Sequence, residues 1–189
     1  MIKFGVVFVQ KHYVTVERMK KAGFLITMII LVLSGSCTRI QQLPPEPSIE
    51  YMNFTVFDTL DILGNYCKGG RLKFYFEDGD GNLGLASPED TGLDTTNLFF
   101  TLYRKINGEM VQVADDDNMK PSSYRIPYMD REGQNKILRG TIYVTFIYLF
   151  YEPAHNDTLM YEFWLKDRAE NVSNTALTTE IPLSVNGTY

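Results

Sequence analysis

The second half of the chain alternates apolar and polar side chains with a period of two, which is typical of a β-strand with one buried face. The alternation is clearest over residues 159–166, and residues 72–77 show the same pattern. After residue 37 no segment has a sustained 3.6-residue apolar period with helix caps. The patterning therefore predicts an all-β fold.

A tight hairpin is predicted at Asn107-Gly108, between the strand-like runs 98–106 and 109–113. Both residue types tolerate positive φ, which a two-residue hairpin turn requires. Further runs lie at 137–151, 159–166 and 176–185. About seven strands at this spacing predict an antiparallel β-sandwich of two sheets.

The run 137–151 differs from the others because both of its faces are fairly apolar. One face carries Ile142, Val144, Phe146, Tyr148 and Phe150, and the other carries Tyr143, Thr145, Ile147 and Leu149. A strand that is apolar on both faces is expected in the middle of a sheet or under a cover. We therefore predict a central or covered strand here.

The N-terminal part has the composition of a secretory signal. Lys20 and Lys21 precede an apolar stretch, 22–33, that is shorter than the about 20 residues of a membrane-spanning helix. The following residues, 33–37, read Leu-Ser-Gly-Ser-Cys and resemble a lipobox, in which a peptidase cuts before a lipid-bearing cysteine. Ser34 departs from the usual leucine. An ordinary cleaved signal and an uncleaved anchor are the alternatives.

These features predict four segments. Residues 1–18 are an extension from a start codon assigned too early, 19–36 a lipoprotein signal peptide, 37–47 a lipidated proline-rich tether, and 48–189 the β-sandwich domain. The resemblance to lipoproteins implies that Cys37 holds the domain on a membrane through acyl chains such as palmitate. In the lipoproteins that the chain resembles, an acidic stretch just after the cysteine directs the protein to the outside face of the cell. Residues 38–42 contain no acidic residue, so the resemblance implies the outer membrane, with a slight preference for its periplasmic face.

The mature chain of 153 residues is long enough for one domain with its own core. It has 13 basic and 22 acidic residues, a net charge of −9, which argues against a nucleic-acid partner. With Cys37 lipidated, Cys67 has no disulfide partner. We expect Cys67 to be a small buried residue, and a reactive thiol is the alternative.

One loop carries oxygen ligands at alternate positions. Asp78, Asp80 and Asn82 are separated by single glycines, and this spacing suits calcium. Glu89 falls at the twelfth position, but Leu83 occupies the sixth, where an EF-hand has glycine. The alternative is a tight turn in which glycines 79, 81 and 84 supply unusual backbone angles.

Two motifs resemble those of Bacteroidetes-type envelope lipoproteins of unknown function. They are residues 76–84, with the Asp-Gly-Asp-Gly loop, and residues 167–174, which read Asp-Arg-Ala-Glu-Asn-Val-Ser-Asn. The second is similar to the last hairpin of immunoglobulin-like and fibronectin III-like domains. The resemblance implies such a sandwich and no activity. Glu170 replaces the usual glycine, which weakens the expectation of a positive φ at this position.

No catalytic residues are predicted. His155 is the one histidine after residue 37, and no Gly-x-Ser-x-Gly sequence is present. A hydrolase would instead need a cleft with converging carboxylates. We therefore predict that the protein is not an enzyme.

Two binding roles stay open. The first is an envelope lipoprotein that binds a protein partner or acts as a scaffold. The second is a glycan-binding accessory lipoprotein of a polysaccharide-uptake system, with Trp164, Tyr148 and Tyr151 as a stacking platform. Core packing of these aromatic residues is the alternative. A row of exposed aromatic side chains would favour glycan binding, and a fully packed Trp164 would favour a protein partner.

Overall fold

The computed structural model describes residues 43–87, 95–117, 119–130, 136–152 and 157–189. The predicted signal peptide and Cys37 lie outside these residues. The described part contains nine strands: β1 (Ser48–Leu60), β2 (Tyr66–Asp78), β3 (Leu98–Ile106), β4 (Glu109–Gln112), β5 (Leu138–Tyr148), β6 (Thr158–Leu165), β7 (Ala176–Leu177), β8 (Ile181–Pro182) and β9 (Gly187–Thr188). It contains no helix that is long and apolar enough to cross a membrane.

The strands form two antiparallel sheets, so the predicted all-β sandwich is confirmed. One sheet has the order β5-β2-β1-β9, and the other has the order β4-β3-β6-β7, with β8 also paired to β6. The order β5-β2-β1 is the order of strands E, B and A in one sheet of an immunoglobulin-like domain, and β3-β6-β7 is the order of strands C, F and G in the other sheet. The structure has more strands than the seven predicted, partly because the run 176–185 leaves the sheet after Leu177 and returns at Ile181.

The predicted hairpin is confirmed. Strand β3 spans the predicted residues, and Ile106 pairs with Glu109 across the turn. Asn107 and Gly108 have φ values of 52° and 89°. Both residues therefore adopt the left-handed backbone for which asparagine and glycine are favoured.

The prediction that β5 is central or covered is wrong. Strand β5 lies at the end of its sheet and pairs with β2. Val144 and Phe146 face the core, but Tyr143 is 59% exposed and Ile147 is 45% exposed on the other face. The strand ends at Tyr148, so Phe150 projects from a turn and does not join the buried face.

Aromatic rings from both sheets form the centre of the core. Phe54 of β1 stacks on Phe146 of β5 and on Tyr161 of β6, at 5.8 Å in each case. Phe100 of β3 meets the ring of Phe146 edge-on at 5.5 Å. Four strands that are distant in sequence are thus joined by one aromatic cluster, and offset or edge-to-face contacts of this kind add to the stability from burial alone.

Tyr148 belongs to this core, which corrects its prediction as a platform residue. It is 4% exposed, and its hydroxyl lies 2.8 Å from the hydroxyl of Tyr161. The alternation of β5 places Tyr148 on the same face as Val144 and Phe146. Burial raises the pKa of both tyrosines, so both hydroxyls stay neutral and satisfy each other inside the core.

The Tyr148–Tyr161 hydrogen bond yields a stability prediction for a soluble form of residues 43–189, whose sheets and core are complete. Tyr148→Phe and Tyr161→Phe should each destabilise it by about 1–3 kcal/mol, because each leaves one hydroxyl unpaired in the core. The double variant should lose clearly less than the sum of the two. Urea denaturation measures all four proteins, and additive losses would contradict the prediction.

Candidate functional site

The two sequence motifs meet at one end of the sandwich. Asp78 is the last residue of β2, and Asp167 follows the end of β6. Each of Asp78, Asp80 and Asp167 offers a carboxylate oxygen, and these three atoms lie within 4.8 Å of one another. Asp78 and Asp167 are buried. We call Asp78, Asp80, Asn82 and Asp167 the acidic cluster.

Backbone groups hold Asp78 in place. Its carboxylate accepts hydrogen bonds from the backbone N–H of Leu83 at 2.7 Å and of Gly81 at 3.3 Å. Gly81 and Gly84 have φ values of 64° and 92°, as the tight-turn alternative predicted. Gly79 is required for a different reason, because a Cβ there would lie 2.1 Å from the carbonyl oxygen of Pro44.

Asp167 organises the second turn in a similar way. One carboxylate oxygen accepts from the backbone N–H groups of Ala169 and Asn171, each at 2.8 Å. The other oxygen accepts from the side-chain amide of Asn171, also at 2.8 Å. Glu170 has a φ of 64°, so the positive φ that the resemblance implies for this position is present. The turn retains its backbone shape although glycine is absent.

Arg168 joins the two turns. Its Nη1 donates to the carbonyl oxygens of Leu83 at 3.3 Å and Gly84 at 2.8 Å. Its guanidinium also lies 4.7 Å from the ring centroid of Tyr128. Arg168 therefore links the turn after β6 to the loop after β2 through hydrogen bonds, and a cation–π contact with Tyr128 adds to these.

Asn82 adds an amide to the same loop. Its side-chain amide nitrogen, Nδ2, donates a hydrogen bond to Asp80 Oδ2 at 2.8 Å. Its Oδ1 is enclosed and accepts no hydrogen bond from the part of the chain that the structure describes. A buried acceptor without a partner costs about 1–3 kcal/mol, and a cation ligand would offset this cost.

The environment of Asp78 disfavours its charged form. Burial raises the pKa of Asp78, the Leu83 N–H lowers it, and the hydrogen bond and charge of Asp80 raise it. Carboxylate and amide oxygens are ligands that Ca²⁺ prefers.

The sequence placed Asp78, Asp80 and Asn82 in one loop, and the structure adds Asp167. Asp167 was missed because its spacing in the sequence gives no sign that the end of β6 meets the end of β2. Glu89, the predicted twelfth-position ligand, lies outside the described residues, as does His155.

Trp164 lies on the outer face of the second sheet and is half-buried. It stands opposite Phe99 in the register, and the two rings stack at 5.8 Å with 21° between their planes. On the same face Tyr103 donates to Glu162 at 3.2 Å. Tyr151 is partly buried against the core. Trp164 is thus neither fully packed nor part of the predicted Tyr148–Tyr151 row, and Phe99 is its aromatic neighbour.

Cys67 is half-buried rather than buried. Burial and the nearby charge of Asp61 raise the pKa of its thiol, which disfavours the reactive thiolate. This environment does not support the alternative of a reactive thiol.

No family model, curated protein or solved structure matches the chain.

The Asp167 turn yields a second stability prediction. Glu170→Gly should stabilise residues 43–189 by about 1 kcal/mol, since a non-glycine residue at positive φ is strained by about 1–2 kcal/mol. The exposed ion pair with Lys166 that would be lost contributes little. Chemical denaturation is the measurement, with Glu180→Gly as the control at an exposed site whose φ is not positive. That control should be neutral or destabilised. A stability loss in Glu170→Gly would contradict the prediction.

Proposed function

We propose that the chain is a lipid-anchored, non-enzymatic protein of a bacterial cell envelope, with an immunoglobulin-like sandwich as a binding or scaffold domain. Cys37 is the proposed lipid attachment site, and the outer membrane is the proposed location. The main support is the path by which the chain enters the domain. Pro47 is buried, and the Pro44 carbonyl lies against Gly79, so residues 43–47 pack onto the domain. The six residues back to Cys37 span at most about 20 Å.

The buried polar side chains support a structural role for the domain. Asn97 donates to the Lys166 carbonyl at 3.3 Å and accepts from the Ile126 N–H at 2.7 Å. Ser173 and Thr178 accept from backbone N–H groups of β6, each at 3.0 Å. These groups are used to hold strands and turns together, as Asp78 and Asp167 are.

Lipid attachment is tested by growing cells that express the full chain with an alkyne-bearing fatty acid. The chain should take up the label, and Cys37→Ser should abolish the label and release the protein from membranes. Cys67→Ser is the matched control, because it removes the other cysteine and should keep both properties. Label in Cys37→Ser, or no label in the wild type, would contradict the lipid anchor.

We also propose that the acidic cluster binds calcium as a structural ion. The three converging carboxylates and the enclosed Asn82 Oδ1 support this assignment. Burial, and after it the hydrogen bond and charge of Asp80, raise the pKa of Asp78, and the ion would favour the charged form of this carboxyl. It would thereby brace the loop after β2 against the turn after β6.

The calcium proposal is tested by thermal unfolding of residues 43–189 with Ca²⁺ and with chelator. Calcium should raise the Tm of the wild type and leave that of Asp80→Asn nearly unchanged. In chelator at pH 7, Asp80→Asn should be the more stable protein, because Asp78 then has no charged neighbour in its loop. Identical wild-type curves in Ca²⁺ and chelator would overturn the proposal.

The pH dependence in chelator provides an independent check. A carboxyl whose folded pKa is raised opposes folding above that pKa, and the penalty is relieved as the pH falls through it toward the unfolded value near 3.9. The stability advantage of Asp80→Asn should therefore shrink as the pH is lowered from 7 toward that value. An advantage that grows on acidification would contradict the direction of the Asp78 shift.

Glycan binding on the outer face of the second sheet is the alternative function. The stacked, half-exposed Phe99–Trp164 pair supports it, since sugar rings stack on aromatic faces. Wild-type protein should then bind one polysaccharide class on a glycan array, and Trp164→Ala should lose at least tenfold in affinity with unchanged Tm. Tyr66→Ala removes a more exposed ring at the far end of β2 and should bind normally. No binding across the array would discard this alternative.

A further inference from the structure

Strand β5 is a long, open sheet edge. It has 11 residues and pairs with β2 along its whole length without a bulge. On its other side, no residue of the described chain hydrogen-bonds to the backbone of 138–147. About half of its backbone N–H and C=O groups therefore point outward without a partner among the described residues.

The other edge strands of the sandwich are short, which is one of the usual ways in which proteins avoid pairing of an exposed edge with another chain. Strand β4 has four residues, and β7, β8 and β9 have two each. Short length, charge, proline and bulges are the usual protections of an edge. Strand β5 has no proline and no bulge, and its one charged residue is Arg139 near its start. It is therefore the least protected edge among the described strands.

The composition of β5 belongs to a strand with neighbours on both sides. Its outward face carries Thr141, Tyr143, Thr145 and Ile147, which are residue types with high strand preference. This is the reason why the sequence predicted a central or covered strand. In the single chain β5 has a neighbouring strand on one side only, whereas its sequence is typical of a strand with neighbours on both sides.

We propose that β5 pairs with β5 of a second copy of this chain, in antiparallel orientation, to join the two β5-containing sheets into one. The outward side chains are symmetric about Tyr143, with a threonine two positions to each side. A two-fold axis at Tyr143 therefore places Tyr143 opposite Tyr143 and Thr141 opposite Thr145 of the second copy. Aromatic and threonine cross-strand pairs stabilise sheets. Few strand sequences have this symmetry, which pairing with a second copy in this register requires.

The same register avoids repulsion along the new pair. Arg139, the one charged residue of β5, falls opposite Ile147 of the second copy and away from the second Arg139. Its aliphatic stem can cover the Ile147 side chain, which is exposed in the single chain. The pairing is isologous, because each contact occurs twice, and it closes at two copies.

Antiparallel pairing also places the two chain-entry ends, at Leu43, at opposite ends of the dimer. A dimer anchored through both chains would therefore lie with its strands along the membrane surface.

The register is tested by cysteine cross-linking of the full chain in bacterial membranes, in a Cys67→Ser background that should itself give no dimer. Directly opposite residues have Cα atoms about 4.5–5.5 Å apart, within the range for a disulfide. Tyr143→Cys should therefore form a disulfide dimer on mild oxidation. Thr141→Cys alone and Thr145→Cys alone should not, because in each the like residues are four positions out of register, about 13 Å. Co-expressed Thr141→Cys and Thr145→Cys chains should cross-link to each other.

The contacts are tested by two changes at one position in the Tyr143→Cys chain. Ile147→Lys faces Arg139 of the second copy and should lower the cross-linked yield at least fivefold. Ile147→Glu loses the same apolar side chain but faces Arg139 with the opposite charge, so it should retain most of the yield. No cross-link in Tyr143→Cys, equal yields from Thr141→Cys alone, or equal losses in Ile147→Lys and Ile147→Glu would each overturn the proposal.

Discussion

The aromatic cluster between the two sheets is the contact on which the rest of the molecule depends. Phe54, Phe146 and Tyr161 come from three strands and both sheets, and each is buried. Because strands alternate, fixing these rings inward also fixes which residues face outward. Phe163 and Leu165 point to the core beside Tyr161, and Trp164 between them must face away. The positions of the candidate surfaces thus follow from the packing of the core.

The aromatic cluster also brings together the loop after β2 and the turn after β6, which carry the acidic cluster. Strands β2 and β6 belong to different sheets, and both run toward the end of the sandwich at which the chain enters. Their last residues are followed by the loops that contain Asp80 and Asp167. Backbone N–H groups hold Asp78 and Asp167 in place, so the carboxylates converge although they repel one another. The proposed calcium ion would offset this repulsion.

Periodicity and turn chemistry predicted most of the strands, but they could not predict contacts between segments that are distant in sequence. The bounds of β3, the Asn107-Gly108 turn and the buried face of β2 follow from periodicity and turn chemistry alone. The convergence of Asp167 with Asp78 depends on sheet packing, which no local pattern encodes. Tyr148 shows the same limit, because its alternation identified a face but not that this face is the core. For β5 the apolar residues on both faces predicted a central or covered strand, and the structure places it at the edge of its sheet with one face exposed.

The proposed function assigns the anchor, the core and the binding surfaces to separate parts of one chain. The intact mass of the protein purified from membranes tests the proposed lipid on Cys37. We expect a chain that begins at Cys37 and carries the added mass of a diacylglycerol group. A chain that retains residues before Cys37, begins at another residue, or begins at Cys37 without added lipid would contradict it.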